Sequence, residues 1–238
     1  MISFVIPAHE EEQHIGATIA AIRAAANATN EPFEIIVVDD DSHDATSSIA
    51  KANGARVIHV ACRQIAATRN TGAKAACGEV LFFIDADTLA NSDAVIAALH
   101  AIRHGAVGGG CVFTFDGILP LWARILYPVA AFLARRLRLV GGCFLFCQKE
   151  AFASIGGFCE RYYAAEEVAF INALKKLGKF EIPKPTVITS GRKLRSVSFW
   201  AIIGIAARWF FGGPKMFLQR DGLEIWYGPR SPDEKRGR

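Results

Sequence analysis

The sequence predicts an α/β domain, a mostly parallel sheet flanked by helices on both faces, with an apolar and basic helical region toward its C-terminal end. Three observations carry this. Short, continuously apolar runs alternate with longer amphipathic, alanine-rich runs through the first half of the chain. Continuous apolar runs mark strands covered on both faces, as parallel strands are. The composition, 52% hydrophobic and 21% charged over 238 residues with a mean hydropathy of +0.24, supplies one sizeable core and excludes a disordered or fibrous chain.

Taken in order, residues 2–6 read as a buried strand and 12–28 as a helix. Residues 34–38 form a second strand that ends in three aspartates. A helix over 44–53 follows, with Asp44 as its cap and Gly54 as its stop. Residues 56–60 are a third strand, 64–77 a helix closed by Gly78, and 80–84 a fourth strand again ending in acids. A helix over 92–104 opens on Ser92. Such strand–helix–strand crossovers are right-handed almost without exception, which makes the sheet doubly wound and Rossmann-like. Ligands then bind beyond the C-terminal strand ends. Both acidic clusters lie there, a placement no core-packing need explains.

The second half is less regular. Residues 107–115 read as one strand with a glycine-rich start, 118–140 as an apolar helix kinked by Pro128, and 142–147 as another strand. Arg124, Arg135 and Arg138 lie near one face of that helix. A helix over 166–177 ends at Gly178, and an apolar helix over 198–211 stops at Gly212-Gly213-Pro214.

The net charge of +4 is unevenly spread: ten Lys and Arg face four Asp and Glu from Ser190 onward, and acids slightly exceed bases before it. A basic, apolar C-terminal region suits an anionic membrane surface better than nucleic acid. Its last eight residues read as a solvated tail. Six cysteines without a Cys-x-x-Cys pair suggest reduced, mostly buried thiols and a cytoplasmic location, peripheral on the inner face of a membrane. No leader with a basic start is expected at residues 2–6, and no run reaches the length of a spanning helix; 199–211 comes nearest and Arg208 interrupts it.

Asp85-Ala86-Asp87 follows the fourth strand. Two carboxylates at i and i+2 can turn toward one divalent cation, Mg²⁺ or Mn²⁺, which takes oxygen ligands and shares them with substrate phosphates. The competing reading is a solvated turn. Asp39-Asp40-Asp41 can accept hydrogen bonds from a base N–H or ribose hydroxyls, or can cap a helix. Pro7-Ala8-His9-Glu10-Glu11-Glu12 after the first strand offers no glycine-rich phosphate cradle, which argues against dinucleotide or P-loop binding.

With these runs in view, residues 5–11, 36–42, 67–73 and 83–87 resemble, in order and spacing, the signatures of family 2 glycosyltransferases with the GT-A fold. Gly156-Gly157-Phe158-Cys159-Glu160 with Glu166-Glu167 resembles the family's acceptor-side motif. The resemblance covers residues 2–190 and implies a catalytic domain over 1–190, an extension over 191–230 and a disordered tail over 231–238. It implies transfer of a sugar from a nucleoside-diphosphate sugar to a hydroxyl acceptor, lipid-linked if the membrane reading holds, with inversion. Pro7, Ala8, Glu11, and Asp39 or Asp40 would line the nucleoside pocket, and Arg69 would lie near the base or diphosphate. Asp85 and Asp87 would hold the donor through the metal, with Asp87 the more direct ligand. The general base would be Glu167, with Glu166 beside it. Two positions depart from the family: Glu10 replaces Asn, and Glu167 replaces Asp.

Bottom-up chemistry agrees with that resemblance. A single displacement at an anomeric carbon needs a base for the acceptor proton and a cation for the departing phosphate. Glu166 and Glu167 also suit a helix N-terminus simply as favourable charges. His9 alone among six histidines sits in a motif. Ser190-Gly191-Arg192-Lys193 offers cations to a diphosphate, to lipid headgroups, or to solvent as a basic loop. The apolar run over 198–211 fits an interfacial segment, a dimer contact or a packed helix. Two other functions compete: a nucleotidyltransferase making sugar nucleotides, and a non-catalytic nucleotide-sugar-binding scaffold.

Overall fold

A computed structural model describes residues 1–196, together with Gly204, Phe217 and Leu218. Seven strands make the main sheet, in the order β3-β2-β1-β4-β8-β6-β9. They are β1 Ile2–Ala8, β2 Phe33–Asp40, β3 Arg56–Val60, β4 Val80–Ile84, β6 Ala106–Gly110, β8 Phe144–Gln148 and β9 Lys179–Glu181. β8 runs antiparallel to β4 and β6, and the other pairings are parallel. Three short strands, β5 Thr88–Leu89, β7 Val112–Phe115 and β10 Thr186–Thr189, form a second sheet in the order β5-β10-β7.

Every residue of β1 is buried because both faces are covered. Ile2, Phe4 and Ile6 enter one core with α1 (Ile15–Asn27) and α4 (Ser92–Arg103). Val5 enters the other, with α3 (Ile65–Ala75) and α7 (Glu166–Leu177). β4 alternates likewise, Phe82 and Ile84 on one side, Leu81 and Phe83 on the other. The period-2 alternation of a strand thus feeds two cores at once. The remaining helices are α2 (Thr46–Ala52), α5 (Leu121–Leu137), α6 (Lys149–Ser154) and α8 (Arg192–Ser196).

The structure corrects several expected elements. β2 continues through Asp39 and Asp40, so these acids belong to the strand and not to a loop after it. Asp44 does not occupy the α2 cap position, which is Ala45, although its carboxylate accepts the Thr46 N–H at 2.9 Å. Asn91, not Ser92, caps α4 by accepting the Ala94 N–H. The single strand expected over 107–115 is two, split at Cys111 and belonging to different sheets. Its glycine run is explained by close packing: a Cβ on Gly109 would lie 2.1 Å from the Glu181 carbonyl oxygen and 2.3 Å from the Phe146 ring. α5 continues on both sides of Pro128 as one helix, and Arg138 in left-handed conformation closes it.

All six cysteines are free. Cys111, Cys143 and Cys147 are buried, Cys159 is half-buried, and Cys62 and Cys77 are exposed, so only half are buried as expected. Among the described residues no helix is long and apolar enough to cross a membrane. The expected helix over 198–211 and the tail over 231–238 lie outside the described residues.

Candidate active site

The C-terminal ends of β1, β2 and β4 meet at one edge. Strand register sets Ala8 opposite Asp39, and Pro7 opposite Val38. The loops that follow are laced together by their acids. Glu10 accepts the His43 N–H at 2.7 Å, Glu12 accepts the Ala45 N–H at 3.0 Å, and Asp44 accepts the Glu12 N–H at 3.0 Å. Glu10, the departure from the family pattern, is therefore spent on the loop after β2. Glu10 and Asp41 both hold left-handed backbone, with φ of 53° and 61°, a conformation side-chain-bearing residues adopt where the surroundings dictate it.

The two neighbouring aspartates of β2 differ. Asp40 is buried and accepts from the Cys62, Arg63 and Gln64 N–H groups and from the Thr68 hydroxyl, at 2.7 to 3.1 Å. Its oxygens cap the approach to α3 and are fully used. Asp39 accepts the Ser42 N–H at 3.3 Å and lies 3.3 Å from His59 Nδ1, at the edge. His9 sits beside this loop, 2.8 Å from the Asp40 carbonyl oxygen, in contact with Arg63.

The Asp85-Ala86-Asp87 turn is held residue by residue. The Asp85 N–H donates to the Cys143 carbonyl at 3.1 Å, the Thr18 hydroxyl to the Ala86 carbonyl at 2.8 Å, and the Ser190 N–H to the Asp87 carbonyl at 3.1 Å. The residue before β8, α1 and the residue after β10 each hold one residue of the turn's backbone.

Each carboxylate is held by a different arginine. Arg69, from the middle of α3, is buried. Its Nη2 donates to Asp85 Oδ1 at 2.8 Å and to the Gly142 carbonyl at 3.0 Å, and its Nη1 to Glu166 Oε1 at 2.8 Å. The guanidinium lies 5.2 Å from the centre of the Phe158 ring. Burial works against its charge, but Asp85, Glu166 and Glu167 outweigh that, and its pKa is raised. On the other side, Arg192 Nη2 reaches Glu11 Oε1 at 2.5 Å and Asp87 Oδ2 at 3.0 Å. Arg192 was expected to meet a diphosphate, lipid headgroups or solvent, and not to pair with Glu11 and Asp87. Its placement after β10 is the sequence signal that could have found it.

Glu166 and Glu167 open α7 directly behind Ala165, which holds left-handed backbone with φ 59°. Burial, and then the neighbouring Glu167, push Glu166 up to about 8 against the pull of Arg69. Burial also raises Glu167, which is half-buried. The loop before them is braced twice. Asn70 clamps Phe158, donating to its carbonyl and accepting its N–H at 2.9 Å each, and donates to Glu160 at 2.8 Å. Gly157 makes that clamp feasible: its φ is +76°, and a Cβ would lie 2.7 Å from Asn70 Oδ1. From beyond the first domain's expected end, buried Phe217 packs on Ala164, and its carbonyl accepts the Tyr163 N–H at 2.8 Å. Phe217, which falls in the expected extension over 191–230, thus braces the loop that presents the acids.

A cavity of about 410 Å³ adjoins Asp87, lined by Gln13 and His14 before α1, Thr18 of α1, Asp116 and Thr189. The sequence profile described as Glycosyl transferase family 2 matches residues 3–154, which is more than half of the chain.

The chain belongs to glycosyl transferase family 2.

Other likenesses agree with that family. The chain is 35% identical over 91 residues to the putative glycosyltransferase EpsH of Bacillus subtilis, an alignment covering 36% of this chain and 26% of that protein. It is 30% identical over 99 residues to the undecaprenyl-phosphate 4-deoxy-4-formamido-L-arabinose transferase of Aeromonas hydrophila, covering 37% and 29%. The chain thus matches under a third of the length of these curated relatives. Among solved structures, it is similar to the mannosyltransferase PcManGT of Pyrobaculum calidifontis in complex with GDP-Man and Mn²⁺, with TM-score 0.65, 18% identity, and coverage of 94% and 71%. It is also similar to the glucosyl-3-phosphoglycerate synthase of Mycobacterium tuberculosis in complex with Mn²⁺, UDP and glucosyl-3-phosphoglycerate, with TM-score 0.62, 20% identity, and coverage of 97% and 81%. At these identities the structural likeness establishes the fold, and the GT-A family 2 expectation is met.

Proposed function

We propose that this family 2 chain is a nucleotide-sugar-dependent glycosyltransferase working by a single inverting displacement. The observation that carries the reading is the convergence of separate acids on one sheet edge: Glu11 after β1, Asp39 in β2, Asp85 and Asp87 after β4, and Glu166-Glu167 opening α7, tied by two arginines.

Pro7, Ala8, Glu11 and Asp39 line the nucleoside side. Asp40 has no oxygen left for a ligand and acts as architecture. Arg69 is a positioning residue whose two outer nitrogens already hold Asp85 and Glu166. Asp87, with Asp85 beside it, would hold a divalent cation together with the donor diphosphate. The residues fit such an ion, because the Glu11–Asp87 gap already takes a positive group, the Arg192 guanidinium. A bound Mg²⁺ or Mn²⁺ would supply charge neutralisation for the departing diphosphate.

Glu167 takes the acceptor hydroxyl proton as the oxygen attacks the anomeric carbon and the bond to the phosphate breaks. Glu166 is tied to Arg69, which leaves Glu167 the freer of the two. Its raised pKa makes it a stronger base once ionised. The acceptor is a hydroxyl compound, and a lipid-linked one is supported by the family likeness to an undecaprenyl-phosphate transferase.

The test is thermal stabilisation by UDP, GDP, CDP and TDP, each with and without Mn²⁺. One nucleotide with metal raises the melting temperature, as a ligand selective for the folded state must. Asp87→Ala loses that shift. Glu167→Gln keeps the shift and loses turnover of the matching sugar nucleotide by about 10²–10⁴-fold. No shift with any nucleotide overturns the donor site.

A further inference from the structure

α5 is built inside out. A helix on a globular domain normally buries its large apolar side chains and exposes small or polar ones. Here Ala123 is buried and Ala131 packs against the core, whereas Leu121, Ile125, Val129 and Phe132 are 70%, 62%, 57% and 68% exposed. Their spacing of four, four and three residues places them on one face. Leu126 and Leu133, each 49% exposed, widen the stripe. The opposite face is anchored: Tyr127 packs on Phe113 and Phe115, and Arg135 donates to the Pro183 and Lys184 carbonyls. The stripe therefore faces outward by construction, and it is larger than singly scattered apolar residues explain.

Charge identifies what covers it. No Asp or Glu occurs between Asp116 and Glu150, while Arg124, Arg136 and Arg138 are exposed along the helix and at its end. A second copy packed through a two-fold would bring these cations together with no acid on either helix to offset them. An apolar stripe that Arg136 continues on the same face, with only further cations beside it, complements an anionic bilayer, with apolar side chains in the acyl boundary and guanidinium groups reaching the headgroups.

We infer that α5 docks this protein on an anionic membrane surface. Both ends of the helix border the site. Before it, Asp116 accepts the Gly191 N–H at 2.7 Å, next to Arg192; after it, the Gly142 carbonyl holds Arg69. Docking through α5 would set the mouth of the site at headgroup level, where an acceptor carried on a lipid is presented. This last consequence rests on the transferase reading; the docking surface does not.

The test is co-sedimentation of the full chain with phosphatidylcholine vesicles with and without phosphatidylglycerol. The chain should bind only the anionic vesicles, and more weakly at high salt. The double variant Ile125→Glu, Phe132→Glu should partition at least about tenfold more weakly while keeping its melting temperature and its response to nucleotide. Should that variant fold poorly, Arg124→Glu with Arg138→Glu should weaken anionic binding while every apolar side chain of the stripe stays in place. Absence of binding by the unaltered chain overturns the inference. So does unchanged binding by the variants, which would move the contact to another segment, or an unaltered-chain dimer that the double variant splits while vesicle binding persists. A chain that binds vesicles through α5 but responds to no nucleotide would sink the transferase reading alone.

Discussion

Two arginines hold two pairs of carboxylates on opposite sides of the β4 end, and they do so in different ways. Arg69 comes from the middle of a packed helix, is buried and binds a backbone carbonyl as well as Asp85 and Glu166. Arg192 comes from a five-residue helix late in the chain and spans Glu11 and Asp87. Of the two arginines Arg69 is the more deeply buried, 1% exposed against 12% for Arg192. The difference teaches that neighbouring carboxylates of one Asp-x-Asp turn are held from separate parts of the fold, Asp85 by a buried arginine of α3 and Asp87 by an arginine that follows β10; in the proposed transferase a metal with the donor diphosphate would take the second arginine's place.

The largest expected effect is at Arg69. Arg69→Met leaves Asp85 without its counter-charge and the buried Glu166 carboxyl without its donor, and should cost about 3–5 kcal/mol of stability. A shift in the urea midpoint reads it, and added Mn²⁺ with nucleotide should not restore it. A small shift would break the comparison by showing that Arg69 is as dispensable as a surface cation.

Arg192→Ala should cost less, about 1–3 kcal/mol, because the Arg192 side chain is less buried than that of Arg69. Here Mn²⁺ with the matching nucleotide should recover more melting temperature in the variant than in the unaltered chain, since the ion takes over the charge on Asp87. Equal recovery in both would mean that Arg192 does not share the position of the ion.

The smallest effect sharpens the role of Glu166. Its folded pKa of about 8 lies above the ordinary 4.5, so the folded state keeps a proton that the unfolded state releases between those values. That contribution is fully present below about 4.5 and is lost as pH rises through about 8. The unaltered chain should therefore lose stability across this window relative to Glu166→Gln, whose amide does not titrate. Parallel curves for the two would mean that Arg69 keeps Glu166 ionised throughout.

Legibility in the sequence divides at β4. Before it, each strand is a continuous apolar run followed by a helical run, and local periodicity reports element type because both sheet faces are covered. After it, the strand expected over 107–115 divides between sheets at Cys111, and β8 turns antiparallel. Neither can be seen locally, since both depend on which distant strand lies alongside. The α5 helix was readable from its apolar content, but the face it exposes was not. Apolar periodicity implies burial, and only packing reveals that the alanines face inward.

The sequence by itself determined the alternation of strands and helices, the delivery of acids to strand ends and the family signatures, because these are properties of short runs and their order. Tertiary structure alone decided which acids remain available. Asp39 and Asp40 are adjacent and chemically identical, yet Asp40 is consumed by three amide N–H groups and a hydroxyl from more than twenty residues away. Glu11 and Arg192, 181 positions apart, become a pair in the same way. A carboxylate's role follows from the donors that reach it, and those arrive from parts of the chain that local sequence cannot place.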